Sequence, residues 1–241
     1  MKQTVLTVTE NIPLTASVYR MRLEGAIGEN RPGQFVEIAL PGRFLRRPIS
    51  VCGARGGELT LIYKVVGHGT EQMSALEEGS RLDVLTGLGS GYRLERAGNA
   101  PLLVGGGVGV PPLYGLAKEL INKGKTVSVV LGFNTADEIF YEDEFRALGC
   151  AVTVTTADGS YGVSGFVTDA LPENASYFYA CGPLPMLKAL CKKTDIPGEV
   201  SLEERMGCGF GACMGCSVMT ASGAKRVCRE GPVFAREELL W

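Results

Sequence analysis

The chain has 241 residues, of which 24 are Lys or Arg and 26 are Asp or Glu, so its formal net charge at pH 7 is −2. A nearly neutral chain without a basic run has no electrostatic basis for binding nucleic acid or an anionic membrane. No apolar stretch is long enough to cross a bilayer, and the N-terminus lacks a signal-peptide core. The sequence therefore predicts a cytoplasmic protein with no nucleic-acid partner and no membrane partner.

Residues 1–97 are predicted to form an antiparallel β-barrel domain. The predicted strands are Thr4–Val8, Val18–Leu23, Gln34–Ala39, Arg47–Cys52 and Glu58–Val66. One helix is predicted over Glu71–Glu78, with Thr70 as its N-cap and Gly79 after its end. Many short strands with few intervening helices are typical of a small barrel.

Residues 98–198 are predicted to form an α/β domain. The predicted strands are Pro101–Val104, Thr126–Leu131, Ala151–Thr155 and Tyr177–Ala180, and the predicted helices are Pro112–Asn122, Glu142–Leu148 and Leu184–Lys192. Alternating strands and helices indicate a parallel sheet with helices on both faces. Residues 199–241 remain as a small third module. The expected fold class is therefore multi-domain, β plus α/β.

The third module contains four cysteines in the order C-x4-C-x2-C followed by one distant cysteine: Cys208, Cys213, Cys216 and Cys228. This is the ligand order of a plant-type [2Fe–2S] cluster. Glycines throughout the loop allow the main chain to approach the cluster sulfurs closely. The alternative is a structural zinc site, but such sites usually pair two short Cys-x(2–4)-Cys clips. The spacing therefore favours the cluster.

The other four cysteines are scattered in apolar or strand-like surroundings and are predicted to be reduced and mostly buried: Cys52, Cys150, Cys181 and Cys191. Cys181 and Gly182 end a predicted strand at the carboxyl edge of the parallel sheet, where ligands bind in such folds. A buried thiol before a helix is an equally good interpretation of Cys181. The only histidine, His68, lies between glycines and is assigned no catalytic role.

A glycine-rich loop between a predicted strand and helix is a second candidate ligand site. Gly107, Gly109 and Pro112 follow the pattern G-x-G-x-x-P, which departs from the full G-x-G-x-x-G dinucleotide fingerprint. A pyrophosphate would rest there on the helix N-terminus. A simple connecting turn remains the alternative.

A third candidate lies in the barrel half. Arg47 is followed by Ser50 on one predicted strand, and Gly67–Thr70 opens the only predicted helix of this half. A fixed guanidinium together with N–H groups at a helix start can hold a diphosphate, and Ser50 can hydrogen-bond a ring edge. An arginine that only faces solvent is the alternative.

Together these elements resemble the ferredoxin-reductase superfamily. Arg47–Ser50 matches its R-x-x-S flavin motif, Gly107–Pro112 its nicotinamide-nucleotide loop, and Cys181–Pro183 its C-G motif. With the cysteine module appended, the chain is similar to the electron-transfer subunits of heteromeric, NAD-linked bacterial dihydroorotate dehydrogenases. The resemblance implies three sets of binding residues: Arg47, Pro48, Ile49, Ser50, Ile62, Tyr63, Lys64, Gly69 and Thr70 for FAD; Gly107, Gly109, Pro112, Cys181 and Gly182 for NAD; and Cys208, Cys213, Cys216 and Cys228 for the cluster.

The resemblance also implies an activity in pyrimidine biosynthesis. Electrons would run from an FMN-containing, dihydroorotate-oxidising partner through the [2Fe–2S] cluster and FAD to NAD+, within a heterotetramer. No catalytic residue for an organic substrate is predicted here, because no other segment carries a poised acid or base. NAD is expected rather than NADP, since Asp137 and Glu138 follow a strand with no arginine before Arg146. Two alternatives are a diaphorase-type subunit of an NAD(P)-linked ferredoxin oxidoreductase or hydrogenase, and a non-enzymatic nucleotide-binding module with zinc.

Overall fold

The computed structural model describes residues 1–241, and its N-terminal part is a closed barrel of antiparallel strands. The strands are β1 (Lys2–Pro13), β2 (Val18–Glu24), β3 (Phe35–Ile38), β4 (Arg47–Arg55), β5 (Glu58–Lys64) and β6 (Arg81–Leu88). They pair in the order β1-β2-β5-β4-β3-β6, and β6 returns to β1. Apolar side chains from alternate positions, such as Val36, Ile38 and Val84, fill the interior. The predicted barrel is confirmed.

Strand β6 is absent from the sequence prediction, although the barrel cannot close without it. Its side chains alternate between the surface and the interior, with Leu82, Val84 and Leu88 buried. This period-2 alternation was a usable signal in the sequence. The five predicted strands alone would have left β1 and β3 as open edges.

The prediction for the barrel helix is wrong in position. Helix α1 spans His68–Ser74 rather than Glu71–Glu78. Thr70 is the third residue of the helix, not its N-cap, and its hydroxyl oxygen accepts hydrogen bonds from the N–H groups of Val66 and Gly67. The threonine does satisfy main-chain donors at the helix start, but it reaches back from inside the first turn.

The central part of the chain forms the predicted parallel sheet. Its strands are β7 (Pro101–Gly106), β8 (Ser128–Phe133), β9 (Ala151–Thr156), β10 (Val163–Ser164), β11 (Tyr177–Cys181) and β12 (Gly198–Ser201), and its helices are α2 (Val110–Asn122), α3 (Glu142–Ala147) and α4 (Leu184–Lys193). The strand order is β10-β9-β8-β7-β11-β12. Helix α2 packs on one face of the sheet and α4 on the other, so the predicted two-sided arrangement is present.

The C-terminal segment is joined to both neighbouring domains. It contains a hairpin of β13 (Ser217–Thr220) and β14 (Gly223–Arg226), then strand β15 (Val233–Ala235). Strand β15 pairs antiparallel with β12 and so becomes the edge of the parallel sheet. The predicted boundary between residues 198 and 199 falls inside this sheet, because β12 begins at Gly198.

The barrel and the parallel-sheet domain are also in direct contact. Helix α2 crosses β4 so closely that a Cβ on Gly115 would lie 2.8 Å from the main-chain oxygen of Cys52. Glu199 on β12 is fully buried, and its carboxylate accepts hydrogen bonds from the main-chain N–H and the guanidinium of Arg93, which follows the barrel. These contacts fix the two domains against each other.

All eight cysteines are free thiols; Cys52, Cys150 and Cys191 are buried, and Cys181 is partly exposed. No helix combines the length and the apolar character that a bilayer-spanning segment needs.

Candidate redox site

The four predicted cluster ligands lie together in the C-terminal segment as two pairs of thiols. A main-chain hydrogen bond joins each pair: the N–H of Cys213 donates to Cys208 Sγ, and the N–H of Cys228 donates to Cys216 Sγ. Two pairs match the two irons of a [2Fe–2S] cluster held by four thiolates. A tetrahedral zinc site would need its ligands gathered around one point. The donor set therefore fits the binuclear cluster.

Main-chain N–H groups point at the ligand sulfurs. The N–H groups of Ala212 and Cys213 donate to Cys208 Sγ at 3.2 and 3.4 Å, and the N–H of Cys228 donates to Cys216 Sγ at 3.4 Å. Burial raises the pKa of Cys208, but hydrogen bonds from the main-chain N–H groups of Cys213, Phe210 and Ala212, together with the Cys213 thiol, outweigh it and lower the pKa to about 6. These hydrogen bonds favour the thiolate of Cys208, which is the form that binds iron.

Glycines shape this loop in the way the sequence suggests. Gly209 and Gly211 have φ values of +74° and +92°, which side chains with a Cβ rarely adopt. A Cβ on Gly207 would lie 3.2 Å from Cys213 Sγ. The loop therefore uses glycine both for its turns and for the space beside a ligand sulfur.

Arg226 ties the distant Cys228 segment to the ligand loop. Its Nη1 donates to the main-chain oxygen of Gly211 at 2.7 Å, and its Nε donates to Glu230 Oε2 at 2.9 Å. The hydrogen bond from Arg226 lowers the pKa of the Glu230 carboxyl to about 2. Sequence reasoning missed this pair, although arginine and glutamate four residues apart were visible there.

The two predicted flavin segments border the same gap in the barrel wall. Strands β4 and β5 are paired from Arg55↔Glu58 as far as Val51↔Leu61. Beyond that point Arg47–Ser50 pairs only with β3, and Ile62–Lys64 pairs only with β2. The facing edges leave main-chain groups available to a planar ring between them.

Arg47 and helix α1 are brought together at one end of this gap. The guanidinium lies against Gly69 so closely that a Cβ there would overlap Arg47 Nε. Its Nη1 donates to the main-chain oxygens of Leu45 and Arg46 at 2.8 and 3.2 Å. The predicted pairing of a fixed guanidinium with a helix start is therefore present, and a side chain at position 69 would displace the guanidinium.

The side chains along β5 do different work from their main chain. The Tyr63 ring is buried in the barrel, and its hydroxyl donates to Asn11 Oδ1 at 2.9 Å. Ile62 packs in the core shared with helix α2. A ring in the gap would therefore contact the main chain of Ile62 and Tyr63.

Near the flavin motif, a cavity of about 470 Å³ is lined by residues 45–48 on one side and 203–206 on the other. The flavin motif and the cluster segment therefore face each other across this cavity.

The predicted NAD residues gather at the carboxyl edge of the parallel sheet. Strands β7 and β11 are neighbours there, with Gly105 opposite Cys181. A Cβ on Gly109 would overlap the main-chain oxygen of Cys181 and approach the nitrogen of Gly182 within van der Waals radii. Gly107 has a φ of +51°, and Pro112 is buried in the first turn of α2. Burial raises the pKa of Cys181 to about 12, so its thiol is neutral at pH 7.

The acidic residues behind the NAD prediction lie at the end of β8. Glu138 accepts hydrogen bonds from the main-chain N–H and side-chain amide of Asn134 at 3.1 and 2.8 Å. It also lies 3.7 Å from the ammonium of Lys64, across the boundary between the two domains. The preference for NAD over NADP stays a prediction.

Comparison with known proteins identifies the family. A family model described as the iron-sulfur cluster binding domain of dihydroorotate dehydrogenase B matches residues 203–240, and an oxidoreductase NAD-binding domain matches residues 103–192. The dihydroorotate dehydrogenase B (NAD(+)) electron transfer subunit of Geobacillus sp. (strain WCH70) is 46% identical over 100% of this chain and 99% of its own length. The chain belongs to the family of dihydroorotate dehydrogenase B electron transfer subunits. The corresponding subunit of Fusobacterium nucleatum is 45% identical over 97% of this chain and 96% of its own.

Solved structures agree with this assignment. The NADH-dependent reduced ferredoxin-NADP oxidoreductase, described in the context of flavin-based electron bifurcation, superimposes with a TM-score of 0.90 at 33% identity, covering 99% of this chain and 90% of that one. The flavohemoglobin of Malassezia yamatoensis shares the fold at 19% identity, with a TM-score of 0.68 over 80% of this chain and 56% of that one. The predictions of the reductase fold, an iron–sulfur domain and an NAD-binding domain are confirmed, and the zinc alternative is set aside.

Proposed function

We propose that this chain passes electrons from an FMN-containing, dihydroorotate-oxidising subunit to NAD+ by way of a [2Fe–2S] cluster and FAD. The name shared by the relatives supports dihydroorotate as the electron donor and NAD+ as the electron acceptor. The observation that carries the proposal is the spatial order of the three sites. The cluster segment packs on β3, β3 pairs with the flavin motif of β4, and α2 of the nucleotide domain lies on β4.

Each site is served by residues of this chain. Bound FAD supplies the exchange between the single electrons of the cluster and the two-electron hydride chemistry of nicotinamide. Arg47 and the start of α1 are placed to hold its diphosphate, and the edges of β4 and β5 to orient its ring. Gly109 and Gly182 let the glycine loop and the end of β11 pack closely at the carboxyl edge of the sheet, where the nicotinamide nucleotide would bind.

The cluster loop is also accessible to a partner. Cys213 is exposed, and the side chains of Phe210 and Met214 on either side of it are 42% and 53% exposed. A catalytic subunit docked on this loop would bring its FMN close to the cluster. We further propose that two copies of each subunit form a heterotetramer in the cytoplasm.

Co-expression with the catalytic subunit provides the test. The purified complex should reduce NAD+ with dihydroorotate as the only donor, and its mass should correspond to a heterotetramer. The isolated chain should oxidise NADH with an artificial acceptor but should not respond to dihydroorotate. Dihydroorotate-dependent reduction of NAD+ by the isolated chain would contradict the division of labour.

One observation favours a second candidate function. The fit to the ferredoxin-NADP oxidoreductase chain extends over nearly the whole molecule, so reduced ferredoxin is an alternative electron donor. Reduction of NAD+ by reduced ferredoxin without the dihydroorotate-oxidising subunit would support that alternative.

A further inference from the structure

Glu37 is a buried carboxylate without a partner. The residue is 1% exposed, and neither side-chain oxygen has a hydrogen-bond partner. Its neighbours on β3, Val36 and Ile38, point into the barrel, so Glu37 lies on the outer face. Such a position normally faces water and suits a charge. Here the face is covered, and an unpaired buried carboxylate is costly.

The cover over this face is the cluster segment. Phe35, two residues earlier on the same face, packs in one apolar group with Cys216 and Cys228. Glu37 lies beneath the other end of the ligand loop. A Cβ on Gly209 would lie 2.5 Å from Glu37 Oε1 and 2.6 Å from its Cγ. Gly209 directly follows Cys208, so the carboxylate abuts the main chain of the ligand loop.

The nearest cation is already committed elsewhere. Arg46 Nη2 lies 2.8 Å from Asp83 Oδ2, and Arg46 Nη1 donates to the main-chain oxygen of Asp83 at 2.9 Å. The hydrogen bond from Arg46 to Glu37 goes to the main-chain oxygen, at 3.4 Å, and not to the carboxylate. The charge on the Glu37 carboxylate is therefore not neutralised by an ion pair.

We propose that Glu37 sets the reduction potential of the cluster, by holding an unpaired negative charge against the Cys208 end of the ligand loop. This inference rests on the cluster of the proposed function. Adding an electron to a cluster beside a fixed negative charge costs free energy, and burial removes the water that would screen it. Glu37 therefore lowers the potential of the cluster. A lower potential favours transfer of that electron from the cluster, which is oxidised, to the flavin, which is reduced.

The test compares midpoint reduction potentials in the chain that contains both the cluster and FAD. Redox titrations of wild type, Glu37→Gln and Glu204→Gln would follow the cluster by electron paramagnetic resonance and FAD by absorbance. The titrations would be run at about pH 9, because burial raises the pKa of the Glu37 carboxyl to about 7. Glu204 is the matched control, because it also lies near Cys208 in the chain but is exposed.

Glu37→Gln keeps the shape of the side chain and removes its charge. We expect its reduced-to-oxidised cluster ratio at a fixed potential to rise about tenfold, equivalent to a shift of about 59 mV for one electron. The flavin should shift less, and Glu204→Gln should match wild type. A wild-type cluster potential in Glu37→Gln, or an equal shift of cluster and flavin, would overturn the proposal.

A second variant keeps the proposal testable if Glu37→Gln fails to hold the cluster. Glu37→Asp keeps the charge but withdraws it from Gly209 by one methylene, so its cluster potential should rise by a smaller amount. An unchanged potential in Glu37→Asp would then count against the proposal. Failure of the proposed function is distinguishable, because it would leave wild-type protein without acid-labile sulfide or without dihydroorotate-dependent activity in the complex.

Discussion

Gly109 packs against Cys181 so closely that any side chain at position 109 would overlap the Cys181 main-chain oxygen. The φ of Gly109 is −80°, which any residue can adopt. The requirement for glycine is therefore one of space and not of backbone conformation. The contact holds the glycine loop against the end of β11, where the nicotinamide nucleotide is expected to bind.

Gly109→Ala should weaken nucleotide binding without disturbing the other two sites. The added methyl group must push the loop away from β11. Such a displacement misplaces the bound substrate and lowers catalytic efficiency by about tenfold or more. We expect KM for NADH to rise, with FAD and iron contents unchanged. Gly53→Ala is the control, because a Cβ there has no neighbour within 4 Å. A normal KM in Gly109→Ala would refute this role of the contact.

Cys213→Ser should abolish the visible absorption of the cluster while leaving the flavin reaction intact. Cys213 is an exposed thiol on the loop and a proposed cluster ligand, and its replacement leaves Cys208 without its paired thiol. NADH oxidation with an artificial acceptor should continue, because it needs only the barrel and the nucleotide domain. Loss of both activities together would show that the module is needed for the fold of the whole chain.

Arg47→Ala should weaken FAD binding. The guanidinium is fixed by two main-chain oxygens beside the start of α1, where it can form a charge-assisted hydrogen bond to a phosphate. Losing such a bond costs about 1.5–3 kcal/mol, or roughly ten- to a hundredfold in affinity. Arg55→Ala is the control, since Arg55 is exposed at the other end of the same strand. Unchanged flavin occupancy after dilution would argue against the assignment.

Arg226→Gln should release the cluster faster while the flavin stays bound. The substitution removes the hydrogen bond to Gly211 and the pairing with Glu230, so we expect cluster bleaching by a chelator to accelerate about tenfold. Arg229→Gln provides the control, because the exposed Arg229 side chain also packs against Gly211, whereas the hydrogen bond to Gly211 comes from Arg226. Equal bleaching rates in the two variants would contradict a specific role for Arg226.

The same pair gives a pH expectation with a definite sign. The pKa of Glu230 is lowered to about 2 by Arg226, below the value of about 4.3 for an unfolded chain. The stability that ionised Glu230 gives to the folded chain is therefore fully present above about pH 4.3 and is lost as the pH falls towards 2. The difference in bleaching rate between wild type and Arg226→Gln should stay constant between about pH 5 and 8.

NADH should be preferred over NADPH. Asp137 and Glu138, in the short turn that follows β8, would repel a 2′-phosphate, and Arg146 is paired with Glu142. Comparison of kcat/KM for the two nucleotides decides the point, and a higher value for NADPH would reverse it.

Features defined by local spacing were accessible from the sequence. The cysteine order, the glycine loop before α2 and the arginine motif on β4 all lie where a single short segment specifies the chemistry. Features created by contacts between distant segments were not accessible. Glu37 looks like an ordinary outward-facing residue of a strand, and it becomes buried only because residues beyond Gly207 fold over it. Strand β15 is likewise too short to be recognised before it pairs with β12.

The pairing of β15 with β12 has a further consequence. One side of the cluster segment is a strand of the nucleotide sheet, and the other side packs on the outer wall of the barrel. The segment is thus not a carrier that swings on a tether between donor and acceptor. Electron transfer between the cluster and the flavin would therefore cross a distance set by the fold. Raising the viscosity of the solvent should leave the rate of this internal step unchanged.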